Sequence, residues 1–205
     1  IMVDRDSHNR ILIIPGANKH LLPSDIDAAA DTLRQCKLIV MQLEIPLETI
    51  YHTIALAKEA GVPVILNTAP ATPELDLAWA CRCDFLVPNE TELEILTGMP
   101  VEDLPQIEAA AHSLFERGLK HLIVTLGDKG ALHMHGDYKH HFTAPKVEAV
   151  DTTGAGDAFV GCFAQTLVNS GDIKKAIERA ILYASQSVTA RGTQTSYLDA
   201  AAFGH

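Results

Sequence analysis

Basic residues are scarce in this 205-residue chain: 16 Lys and Arg stand against 26 Asp and Glu, a formal net charge of −10. A surface of that sign repels phosphate backbones, which argues against a nucleic-acid partner. Small anions remain open, because a local nest of backbone N–H groups binds them whatever the net charge. Cysteine is sparse too. Cys36, Cys81, Cys83 and Cys162 are scattered in a way that suggests no disulfide framework. Cys81/Cys83, His133/His135 and His140/His141 are the pairs that could suggest a metal. No second matching pair sits at zinc-site spacing, so ordinary thiols and surface histidines are the better reading. Nothing resembles a signal peptide or a spanning helix, and a cytoplasmic protein without a membrane partner is the expectation. No repeat, low-complexity tract or Pro/Gly/Ser linker divides the chain, so residues 1–205 are expected to form a single domain.

Apolar runs of strand length alternate with segments of helical period. Leu38–Leu43, Pro63–Asn67, Phe85–Pro88 and His121–Leu126 are nearly continuous in apolar residues, as strands buried on both faces are. Between them, Leu47–Ala60 predicts a helix with Ile50, Ile54 and Leu56/Ala57 on one face, stopped by Gly61. A short helix beginning with Glu92–Leu96 ends at Gly98, and Ile107–Arg117 predicts another ending at Gly118. Ala131–His135 and His140–Thr143 alternate around Gly136-Asp137, which reads as a hairpin. The alternation argues for an α/β fold, a doubly wound, mostly parallel sheet with helices on both faces. Ligands of such sheets bind beyond the carboxyl ends of the strands. The informative loops are therefore 44–46, 67–70, 89–92 and 127–130.

The strongest chemical signal is Val150–Phe159, VDTTGAGDAF. Gly154 and Gly156 flank Ala155, and Phe159, Cys162/Phe163 and Thr166/Leu167 make the buried stripe of the helix that follows. The glycines let successive N–H groups point at one spot at a helix N-terminus, where the dipole favours negative charge. That is an anion hole suited to a phosphoryl group in transit. Asp157 sits in the same turn. A carboxylate there would repel phosphate unless it takes the proton of the attacking hydroxyl, so base and anion hole belong to one reaction. Taken alone, Gly-x-Gly before a helix can be tight packing, and Asp in a first turn a favourable helix charge. No GxxxxGK[ST] is present, which excludes a P-loop. Phe159 in place of a third glycine makes a poor dinucleotide fingerprint.

DTTGAGD resembles the signature of the ribokinase (carbohydrate kinase) family. Matching pieces run in order along nearly the whole chain: PGAN (Pro15–Asn18), MQLEIPLE (Met41–Glu48), LNTAPA (Leu66–Ala71), PNETELEILTG (Pro88–Gly98), VTLGDKGA (Val124–Ala131) and SVTARGTQTS (Ser187–Ser196). The resemblance implies ATP-dependent phosphorylation of a sugar hydroxyl, O5 of ribose first, with 2-deoxyribose or another small sugar as the alternative. A nucleotide-binding paralogue without catalysis is the other alternative.

By the same resemblance, Asp157 is similar to the catalytic base, and Gly154, Ala155 and Gly156 to the anion hole. Asn89 is similar to the residue that contacts nucleotide phosphate, and Glu92 to the one that organises Mg²⁺ through water; a helix start explains both equally well. Thr125, Leu126, Gly127, Asp128, Lys129 and Gly130 match the loop under ATP, and Glu44 the carboxylate that bonds sugar hydroxyls. Asp151, Thr153, Ser187, Ala190, Gly192 and Ser196 match the loops that hold K⁺, mostly through carbonyls. Ile181 stands where relatives usually carry a polar residue near the nucleotide base. The resemblance does not reach the family's N-terminal third, which holds the first sugar-gripping Asp, the GGxxxN loop and most of a β lid. Residues 1–14 are expected to be a remnant of that lid, its last hairpin. Full-length members form homodimers, an expectation that lapses where most of the lid is missing.

Overall fold

The computed structural model describes residues 2–3, 9–10 and 14–204. Strands β1 (Met2–Val3) and β2 (Asn9–Arg10) pair antiparallel, Met2 opposite Arg10. The rest of the expected lid hairpin lies outside the described residues. A short 3₁₀ turn, Gly16–His20, leads to α1 (Pro23–Ala28) and α2 (Ala30–Arg34). The alternating unit then begins. It runs β3 (Ile39–Met41), α3 (Leu47–Ala60), β4 (Val64–Asn67), α4 (Leu77–Ala80), β5 (Phe85–Val87), α5 (Glu90–Thr97), α6 (Leu104–Phe115) and β6 (His121–Thr125). The hairpin β7 (Ala131–His135) and β8 (Tyr138–Phe142) follows, then α7 (Ala155–Ser170), α8 (Ile173–Ser187) and α9 (Ala200–Phe203).

Helix boundaries follow local chemistry. Asn89 caps α5 by accepting the Glu92 amide at 2.8 Å, which starts that helix at Glu90 rather than at Glu92. Asp103 accepts the Gln106 amide at 2.9 Å with Pro105 in the first turn, so α6 starts at Leu104, ahead of the apolar stripe at Ile107. The loop of the hairpin is Gly136-Asp137 alone, and Tyr138 already pairs with His135.

The sheet order is β3-β4-β5-β6-β7-β8, parallel through β6 and antiparallel beyond it. Because strand side chains alternate, the sheet feeds two cores. Val64, Leu66, Leu86, Leu122 and Val124 pack with Ile50, Ile54, Leu93, Ile107 and Leu114 of the crossover helices. Ile65, Phe85, Val87 and Ile123 face the other way, onto Phe159, Phe163, Ala176 and Ile177 of α7 and α8. Among the described residues the strand order does not reverse; the second face is covered by helices that come after the last strand.

One expectation is corrected here. His133 is not a surface histidine: it is 6% exposed, and its Nε2 lies 3.1 Å from Nδ1 of His121. The antiparallel register explains this, since His121 stacks on Phe85 over the second core and His133 lies diagonally beside it.

Candidate active site

The start of α7 sits where the carboxyl ends of β5 and β6 open. Gly154 caps the helix in the left-handed region, φ 81°, ψ 3°. The first intrahelical bond runs from the Ala158 amide to the Gly154 carbonyl at 2.9 Å, and the Ala155 amide reaches the Thr152 carbonyl at 3.3 Å. The amides of Gly156 and Asp157 precede that first bond, so they are free to serve an outside acceptor. The two glycines have different reasons. A Cβ on Gly154 would lie 2.6 Å from the Tyr197 hydroxyl, whereas one on Gly156 would meet nothing within 4 Å. Packing therefore does not demand glycine at 156, a helical position where it costs about 1 kcal/mol against alanine. Its absent side chain keeps a cavity open.

That cavity measures about 680 Å³ and is lined by Asn89, Thr125, Gly127, Asp128 and Gly130 on one side and by Ala155 and Gly156 on the other. The volume suits a nucleotide-sized ligand. Its far wall is apolar, from Val147, Phe159, Ile181, Ala184 and Val188. The loop beneath it is closed by the Leu126 amide on the Gly130 carbonyl at 2.8 Å. Gly130, φ 103°, admits no side chain, because a Cβ would overlap the Phe142 carbonyl.

Glu92 and Asn89 form a capping box with an added partner. Glu92 Oε2 accepts the Asn89 amide at 3.0 Å and the Thr68 hydroxyl at 3.1 Å, and Oε1 accepts Asn89 Nδ2 at 2.9 Å. Burial pushes the Glu92 carboxyl above the usual carboxylate range, against the pull of the Asn89 amide and the Thr68 hydroxyl. Both carboxylate oxygens are engaged, which fits a metal organised through water better than a direct ligand.

Two distant loops meet at Asp151. Its Oδ1 accepts the Thr153 amide and its Oδ2 the Gly192 amide, each at 3.0 Å, and these bonds hold its carboxyl below the usual range, that of Gly192 foremost. The Val150 and Asp151 amides both donate to the Val188 carbonyl, at 2.8 and 3.2 Å. The hydroxyls of Ser187 and Ser196 donate to the carbonyls of Ala184 and Thr193. Ala190 and Gly192 lie in the same turn, Gly192 with φ 87°. Oxygen ligands from such loops suit a weakly held hard cation.

Asp157 is exposed and lines a second cavity of about 530 Å³, between α7, α8 and the segment around Tyr197. Glu44 lies on the loop after β3, exposed and outside the lining of both cavities. Leu126 is 4% exposed and turns into the core, and Lys129 pairs with Glu90 at 3.7 Å, so neither lines the nucleotide-sized cavity. Sequence reasoning does not single out the apolar wall from Val147, Ala184 and Val188. Ala184 and Val188 lie on and just past α8, and the packing of that helix on α7 makes them a wall.

An α/β sheet with its cavities gathered around one glycine-opened helix start defines the class of protein. The chain belongs to the pfkB family of carbohydrate kinases, whose pattern matches residues 1–201. Over 197 residues it is 58% identical to the deoxyribokinase of Salmonella typhi, covering 96% of this chain and 64% of that protein. It is 36% identical to the ribokinase of Mus musculus, covering 96% and 62%. The structure of Arabidopsis thaliana ribokinase complexed with ribose and ATP superposes with a TM-score of 0.89 at 34% identity, over 98% of this chain and 66% of that one. The chain thus spans about 64% of the length of the curated relatives named first.

Proposed function

We propose that the whole protein transfers the γ-phosphoryl group of ATP to a sugar hydroxyl. The hydroxyl oxygen bonds to the γ-phosphorus, the bond to the β–γ bridging oxygen breaks to release ADP, and the hydroxyl proton passes to Asp157. One observation carries this reading. The free amides and open face of Gly156 border the nucleotide-sized cavity, while the carboxylate of the next residue borders the other. Acceptor activation and charge stabilisation thereby sit on either side of one helical turn. Asn89, Thr125, Gly127, Asp128, Gly130 and Gly156 would hold the nucleotide, with Gly154 and Ala155 completing the anion hole. When bound, Mg²⁺ supplies charge neutralisation at the phosphates; Glu92 would orient its water shell. K⁺ would sit between the Asp151–Thr153 and Ser187–Ser196 loops, with Thr153, Ala190 and Gly192 offering carbonyls.

For the sugar, the sequence reading puts ribose first. Identity of 58% to a deoxyribokinase against 36% to a ribokinase supports 2-deoxyribose instead. Glu44 would bond the sugar hydroxyls. Its exposed place, without a hydrogen-bond partner among the described residues, favours one competing reading, a nucleotide-binding protein without turnover.

Calorimetric titration with Mg·ADP, NADH as the control, tests the nucleotide site; ADP production with 2-deoxyribose and with ribose tests the chemistry. Binding of Mg·ADP by the 205-residue chain and sugar-dependent turnover by the whole protein are expected. A folded chain that ignores Mg·ADP overturns the kinase reading, and a whole protein that binds without turnover supports the competing one.

A further inference from the structure

The phenol of Tyr197 touches the helix start at the peptide that leads into the free amides of Gly156 and Asp157. Its hydroxyl donates to the Gly154 carbonyl at 2.8 Å, across a separation of 43 residues. The same carbonyl accepts the Ala158 amide at 2.9 Å. In a trans peptide the C=O and the following N–H point in opposite directions within one plane. Two donors on the Gly154 carbonyl therefore fix the direction of the Ala155 N–H, which faces away from Tyr197 onto the Thr152 carbonyl at 3.3 Å, so the peptide ahead of the free Gly156 and Asp157 amides is held from both sides. A donor on the carbonyl also polarises the amide, making its N–H a stronger donor on the other side.

The contact is steric as well as polar. The Tyr197 hydroxyl lies 2.6 Å from where a Cβ on residue 154 would be, and Thr193 Cγ2 lies 3.2 Å from it. Glycine at 154 is thus required twice, by φ 81° and by the space the phenol takes. Tyr197 is itself held, because Tyr183 of α8 donates to the Leu198 carbonyl at 2.8 Å and the Gly192 amide ties the same segment to Asp151.

We infer that Tyr197 is a positioning residue for phosphoryl transfer: it pins the Gly154–Ala155 peptide, and with it the first turn of α7, so that the free Gly156 and Asp157 amides meet the transferred group. The inference rests on the kinase reading for its chemical consequence but not for its structural part, and the test separates the two. Tyr197→Phe keeps the ring and removes only the hydroxyl. Calorimetry on the 205-residue chain compares Mg·ADP alone with Mg·ADP plus aluminium fluoride, a mimic of the phosphoryl group in transit. In the variant, affinity for Mg·ADP stays within about 2-fold while affinity for the fluoride complex falls roughly 10-fold, because only the latter uses the Gly156 and Asp157 amides that the pinned turn aims. A merely structural role would weaken both in parallel. Amide hydrogen exchange supplies a ligand-free readout: Ala155 and Ala158 exchange roughly 10-fold faster in the variant, with Phe163 and Thr166 unchanged. Unchanged exchange at Ala155 and Ala158, or equal losses for the two nucleotide states, overturns the role of Tyr197. A wild-type chain that binds neither state overturns the kinase reading instead, and the exchange comparison then decides the structural role alone.

Discussion

Gly156 and Asp157 are consecutive residues of one helical turn, yet Gly156 lines the nucleotide-sized cavity and Asp157 the other. Helical geometry produces this, since neighbours in sequence point about 100° apart around the axis. The consequence is measurable. Asp157→Asn keeps size and hydrogen-bonding capacity but removes the base. In an active kinase carrying this site, Mg·ADP affinity stays within a few-fold while kcat falls by roughly 10²–10⁴. A calorimetric titration beside a turnover assay checks both halves, and near-normal kcat rules Asp157 out as the base.

Gly130 has no room for a side chain. Alanine there would place a Cβ 1.9 Å from the Phe142 carbonyl and 2.9 Å from the Ala144 amide, on a backbone with φ 103°. Gly130→Ala therefore destabilises the chain by about 2–4 kcal/mol, the range for clash plus strain at a left-handed position. Denaturant unfolding measures it. Gly156→Ala, with open space around it, raises stability by up to about 1 kcal/mol and instead obstructs the nucleotide-sized cavity.

His121 and His133 give the stability a pH dependence. Burial first, then neighbouring histidines, pushes both imidazoles down to about 4 from the ordinary 6.5. The folded state thus holds fewer protons than the unfolded chain between those values. The contribution is fully present above pH 6.5 and is lost as pH falls through about 4. Thermal unfolding at pH 7 and pH 5 will show a lower midpoint at the acid value. The drop shrinks in a His121→Phe, His133→Leu variant, in which the carboxylates still titrate.

The two amides on Asp151 hold the 151–153 and 190–192 loops together, and K⁺ between those loops would order the turn that follows. Replacing Na⁺ by K⁺ is expected to tighten Mg·ADP binding a few-fold without altering the apolar wall. Asp151→Ala abolishes that difference, since two hydrogen bonds to a charged acceptor are lost, each worth about 1.5–3 kcal/mol. Indifference to K⁺ in a dialysed titration would leave these loops as architecture only.

Much of the frame is legible residue by residue. The helix expected over Leu47–Ala60 is found with those bounds, its predicted face of Ile50, Ile54, Leu56 and Ala57 buried. The strand reading places the turns after β3 to β6 correctly, except that Asn67 is still the last residue of β4 and residues 90–92 are already the first turn of α5. Boundaries drift where a cap lies outside the apolar stripe, as at Asn89 and Asp103. His133 of β7 misleads, because polarity suggests surface while register and the ring of His121, stacked on Phe85, bury it.

Local periodicity and the backbone demands of a few glycines let the sequence by itself determine the alternating elements, the glycine-opened start of α7 and membership of a kinase family. These are properties of short stretches, and short stretches are read directly. Only the tertiary structure decided that Tyr197 reaches Gly154 across 43 residues, that Gly192 ties to Asp151, and that Ile181 and Val147 share one wall. Such contacts follow from how α7 and α8 seat on the second face of the sheet. That seating is set by the packing of Phe159, Phe163 and Ile177 against Ile65 and Phe85, a sum over many distant residues that no local pattern encodes.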